Sequence, residues 1–134
     1  MGTMAYSKAN YTDIDTTGAI ALVLARSMDR RTDTWPYVKD ISEIFYRLRE
    51  KGFRLRDLGL RRIPDGYYSD DVENFVGQLL SMGYATQRSP IKLVDAGVQL
   101  CDEIVAKEGE TNKTELEKLM KALDDLLSKT QVTA

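Results

Sequence analysis

Histidine is missing from this chain altogether, and cysteine occurs once, at Cys101. The first absence removes the commonest general base and the imidazole ligand of metal sites. Together the two exclude a zinc site built from cysteine and histidine. A single cysteine cannot close an intramolecular disulfide, which fits a reducing compartment, and a cytoplasmic location is the expectation. Val98, Leu100, Ile104 and Val105 surround Cys101, so it reads as a small buried hydrophobe rather than a reactive thiol. Long apolar runs are also lacking. The longest, Ala19–Ala25, falls far short of the roughly 20 residues that span a bilayer. It follows polar Thr16-Thr17 without a basic leader, so it is expected to be a buried helix, not a signal peptide. There is no glycine-rich phosphate loop, serine nucleophile elbow or paired metal-ligand spacing. Asp13 with Asp15, or Asp70 with Asp71, do not converge on one atom, because neighbouring helical residues point about 100° apart. An enzyme and a bound cofactor are therefore not expected.

What remains is a chain of 134 residues, 43% apolar and 30% charged, which predicts one globular domain with no internal repeat. Its net charge of −2 gives no global attraction to nucleic acid. The charge is uneven, however. Arg47, Arg49, Lys51, Arg54, Arg56, Arg61 and Arg62 stand against only Glu50 and Asp57, a local excess of five positive charges. Such a run is most simply a solvated face.

Along the chain, residues 1–15 are polar without a clean period and read as a flexible arm. Thr16 or Thr17 is placed to cap a first helix reaching Met28. Thr34 or Asp33 is placed to cap a second, with Pro36 in its first turn. Tyr37, Val38, Ile41, Ile44, Phe45 and Leu48 follow the helical period there, and Gly52 suits a left-handed stop. Arg54–Leu60 fits a short helix or an edge strand, and Ile63-Pro-Asp-Gly66 is turn chemistry. Ser69 caps a third helix whose first turn holds Asp70, Asp71 and Glu73, carboxylates that complement the helix dipole. Gly83 ends it. Tyr84–Thr86 and Ile91–Val94 then pair as a hairpin across Gln87–Pro90. A helix from Asp95 to about Ala106 completes a domain over residues 16–106. Residues 107–113 read as a hydrophilic linker, and 114–134 as an amphipathic helix and tail. Leu116, Leu119, Met120, Leu123, Leu126 and Leu127 form one stripe of that helix.

The expected class is therefore mainly α with a small β-hairpin (α+β). The stretches Leu79-Leu-Ser-Met-Gly-Tyr-Ala85 and Lys92-Leu-Val-Asp-Ala-Gly-Val98 carry a more specific resemblance. They resemble the third helix and wing of the winged helix-turn-helix superfamily, whose members show "Leu-x-x-x-Gly" followed by "Leu-Thr-x-x-Gly". Gly66-Tyr-Tyr-Ser69 is also similar to the "Gly-x-Tyr-Ser" entry of YwgA-like winged-helix proteins. The departure is Val94, where the pattern has a capping threonine, so Asp95 is left to cap or the helix begins one residue late.

The resemblance implies a DNA-binding protein, a transcriptional regulator, with its third helix in the major groove. Asn74 and Gln78, four apart, would read base edges. Gln87, Arg88, Ser89 and Lys92 of the wing, with Arg61 and Arg62, would meet phosphates. The three carboxylates at the front of the third helix oppose this, because they repel phosphate. The alternative is a protein-protein interaction module that uses the acidic third helix and basic 47–62 segment as complementary surfaces. The leucine stripe from Leu116 to Leu127 would make either one a homodimer, or would pack back on its own domain.

Overall fold

The computed structural model describes residues 11–132, with side chains through Lys129. Four helices and two two-stranded antiparallel sheets occur among these residues. In chain order they are α1 (Thr16–Met28), α2 (Val38–Glu50), β1 (Arg61–Ile63), β2 (Gly66–Tyr68), α3 (Asp70–Ser81), β3 (Ala85–Arg88), β4 (Ile91–Leu93) and α4 (Asp95–Val132). None of the helices is long and apolar enough to cross a membrane.

Helix α1 is apolar nearly all round, and Gly18 through Ala25 are buried. A helix of that kind must sit inside, and here the cover comes from α4. Asp15 N–H meets Glu108 and Arg26 meets Asp124, so the two helices run side by side in the same direction. Leu116, Leu119, Leu123, Leu126 and Leu127 of α4 are buried in the core, and Met120 is half-buried against it. The stripe expected to join two chains is thus packed into the chain's own core.

Three further expectations are corrected along the same contact. Residues 107–111 are helical, not a linker, and the break falls at Asn112, with φ −125° and ψ 45°. There the Asn112 side chain donates to Glu108 (2.6 Å) and to the Asp13 carbonyl (3.3 Å). Residues 11–15, expected in a flexible arm, are packed: Thr12 and Ile14 are buried, and Thr12 N–H donates to the Arg54 carbonyl. The remainder of that arm, residues 1–10, lies outside the described residues. The cap of α1 is Asp15, whose carboxylate accepts the Thr17 N–H, because aspartate one residue upstream outcompetes either threonine.

Helix α2 starts later than its sequence period suggests. Pro36 lies before it, and Asp40 reaches back to the Tyr37 N–H at 2.8 Å. Both α2 and α3 end in the same way. At the end of α3, Gly83 N–H bonds the Leu80 carbonyl and Tyr84 N–H bonds that of Leu79, with Gly83 at φ +82°. Only glycine takes that left-handed turn without strain, and Gly52 repeats it after α2. Arg54–Leu60 forms neither helix nor strand apart from one bridge of Arg54 to Tyr11. Helix α4 begins at Asp95, with the Val94 carbonyl accepting the Gly97 and Val98 N–H groups, so Asp95 is its first residue and not its cap. Gly97 lies against the Tyr84 carbonyl, where a β-carbon has no room.

Candidate nucleic-acid interface

Helix α3 is set by a short chain of buried serines. Ser42 Oγ donates to the Val38 carbonyl and accepts the Ser69 N–H at 2.9 Å. Ser69 Oγ in turn accepts the Val72 N–H at 3.2 Å, which caps α3 as expected. Val72, Val76 and Leu79 point inward, while Asn74 and Gln78 are exposed on the outer face. Neither of these two amides has a side-chain partner among the described residues.

The carboxylates at the front of α3 are all engaged within the chain. Asp71 accepts the Gly59 N–H at 2.7 Å. Asp70 takes two bonds from Arg61, at 3.3 and 3.2 Å. Glu73 takes Arg88 Nη1 at 3.1 Å, which draws the tip of the β3–β4 hairpin onto the helix. The Arg88 guanidinium also lies alongside Gly77, one turn further on. These pairs sit near the surface, so each contributes little to stability. Their effect is on local charge: Asp70 and Glu73 each face a guanidinium and Asp71 a backbone donor.

The hairpin itself is tightly built. Ile91 N–H donates to the Pro36 carbonyl at 2.7 Å, tying β4 to the entry of α2. Gln87 donates its side-chain amide to the Pro90 carbonyl at 3.0 Å, so it braces the tip. Ser89 and Lys92 are exposed, and Lys92 has no carboxylate within 4.0 Å among the described residues. Of the wing and link cations proposed from sequence, Arg61 and Arg88 are therefore ion-paired, whereas Arg62 and Lys92 have no ion pair among the described residues.

A second hairpin, β1–β2, was legible only as a turn. Its register opposes Arg61 to Tyr68 and Arg62 to Tyr67. On one side Arg61 lies over the Tyr68 ring at 4.9 Å, toward α3. On the other, Tyr67 stacks on Tyr46 of α2 with ring centres 3.9 Å apart and planes 11° from parallel. Arg62 over Tyr67 and Arg49 over Tyr46 extend the stack at both ends. Hydrogen bonds to Tyr67 and then Glu50 push the Tyr46 hydroxyl up to about 12. The basic run is thus partly fixed on tyrosine faces and is more than a solvated strip. Each of these guanidiniums lies within about 6 Å of a ring centre, the range of a cation–π contact. Sequence reasoning missed this ladder, although the symmetric placement of Arg62 and Tyr67 about Pro64-Asp65 was visible.

Helices α2 and α3 are not joined by a tight turn. The whole segment 51–69, with its own hairpin, separates them. Cys101 is buried, and burial foremost pushes its thiol up to about 11, as suits an inert core position. Among known proteins, the chain matches no family model, no curated protein and no solved structure.

Proposed function

We propose that this chain is a winged-helix protein that binds double-stranded DNA, and that it acts as a transcriptional regulator. In this reading α3 enters the major groove, Asn74 and Gln78 face base edges, and the β3–β4 hairpin is the wing. The observation that carries it is the engagement of Asp70, Asp71 and Glu73 inside the chain. For Asp70 and Glu73 that arrangement eases the chief objection from sequence, because a carboxylate facing its own guanidinium repels phosphate less than a free one. Lys92 on the wing, and Arg62 on the far side of the β1–β2 hairpin, then supply positive charge not spent on carboxylates among the described residues.

The test is a salt series of binding to random duplex DNA, followed by fluorescence anisotropy. Reversing Arg62 and Lys92 to glutamate should flatten the salt slope by about 0.9 for each lost phosphate contact. Neutralising the acids with Asp71→Asn and Glu73→Gln should raise duplex affinity, most strongly at low salt, and free Arg88 for phosphate. No duplex affinity at low salt in either the parent chain or this neutralised variant would end the proposal.

A second reading, a protein-interaction module, is favoured by a groove of about 530 Å³ between α2 and the wing tip. Trp35, Tyr37 and Tyr68 line it, and Tyr37 is 39% exposed. Under this reading the neutralised variant loses partner binding and gains no affinity for DNA.

A further inference from the structure

Three cations that pair with no carboxylate among the described residues line a separate cavity. It has a volume of about 190 Å³ and opens between the last turns of α2, the segment 53–60 and Tyr11. Phe45, Leu55 and Leu58 contribute apolar wall, with Phe45 and Leu55 buried. Arg49, Arg54 and Arg56 also line it and are themselves exposed. None of the three has a carboxylate within 4.0 Å among the described residues, in contrast to Arg26, Arg61 and Arg88.

Two of these arginines share one ring. The guanidinium carbons of Arg54 and Arg56 lie 5.1 and 4.9 Å from the centre of Tyr11. Their charges are therefore within about 10 Å of each other, one Debye length at moderate salt, and they repel. Backbone pairing holds them there, because the Arg54 carbonyl accepts the Thr12 N–H and Arg54 bridges to Tyr11. With no carboxylate within 4.0 Å among the described residues, the N–H groups of these guanidiniums are open to an acceptor. A negative group at the mouth would relieve the repulsion, and an apolar tail could lie against Phe45, Leu55 and Leu58.

We propose that this cavity binds a small organic acid: a carboxylate held by Arg49, Arg54 and Arg56, with an apolar tail against Phe45, Leu55 and Leu58. The volume, about 190 Å³, has room for a tail of about six carbons. The site is independent of the DNA reading, and either can fail alone.

Calorimetric titration of the full chain with hexanoate tests it, with acetate, hexanamide and inorganic phosphate as the comparison ligands. Hexanoate should bind at least tenfold more tightly than acetate, which lacks the tail, and than hexanamide, which lacks the charge. The double variant Arg54→Gln, Arg56→Gln should lose at least tenfold in hexanoate affinity while melting at the parent temperature. Arginine side-chain N–H resonances of the parent should shift on titration, and those of Arg49, Arg54 and Arg56 should shift most. Hexanoate binding no better than acetate or hexanamide overturns the proposal. So does undiminished binding by the double variant. Phosphate binding as tightly as hexanoate also overturns it, and marks the cluster as a backbone-phosphate contact.

Discussion

The contact of α1 with α4 and the surface around α3 are held together by opposite means. The first is leucine and alanine against leucine, with one ion pair, Arg26 to Asp124 at 2.7 Å, at its edge. The second is a fabric of hydrogen bonds, ion pairs and stacked rings over a thin apolar layer. Burial is non-directional and scales with area, so the first region answers little to pH or to screening by moderate salt. Exposed pairs are weak one by one and answer to salt and pH, so the second region is adjustable. Stability and adjustability are thus assigned to different faces of one small chain.

The largest effect should come from breaking the first region. Leu123 is fully buried, and Leu123→Ala should cost about 2–5 kcal/mol through lost transfer energy and a residual cavity. Chemical denaturation should show this as a lower midpoint with an unchanged slope. The same variant also sharpens the dimer question, because a stripe that joined two chains would make the loss depend on protein concentration.

An intermediate effect belongs to the serine chain that seats α3. Ser69→Ala removes the cap of Val72 N–H and should cost about 0.5–2 kcal/mol. It should do so without altering the α1–α4 contact, and hydrogen exchange can check this by showing faster exchange confined to the start of α3.

The smallest effect is a titration. The Tyr46 phenol is held up to about 12, above its ordinary value of 10.0, mainly by its bond with Tyr67. A raised pKa means that the fold favours the neutral form. The contribution is therefore present in full below pH 10 and is lost as pH rises through about 12. Phenolate absorbance should show one late-titrating tyrosine, and Tyr67→Phe should bring it down toward 10. Unchanged titration in that variant would mean that the stack does not hold the hydroxyl.

How much of this was legible in the sequence depended on the kind of interaction. Helix α3, its Ser69 cap, the Gly83 stop and the β3–β4 hairpin were readable, because each rests on local chemistry within a few residues. The role of Leu116–Leu127 was not. A leucine stripe shows only that something covers it, and the cover, α1, lies about a hundred residues earlier. The polar stretch 107–111 was misread because Glu108 and Asn112 serve as partners for residues 13–15 rather than as solvent-facing linker. At the candidate interface, the exposure of Asn74 and Gln78 followed from helical period alone. The pairing of Glu73 with Arg88, and the tyrosine–arginine ladder, required the two hairpins to fold back on the helices. No spacing rule conveys that.

The alignment of α1 with α4 also bears on how the chain leaves a ribosome. The apolar face of α1 is made early, whereas Leu119, Leu123 and Leu127 arrive only after α2, both hairpins and α3. At about 5–20 residues per second, roughly 5–20 seconds separate the two during synthesis. For that interval Ala19–Ala25 has no native cover, and contacts of such sequence separation form late in folding. The nascent protein is therefore most exposed to chaperones and to aggregation in this window, and a translational pause ahead of residue 114 would prolong it.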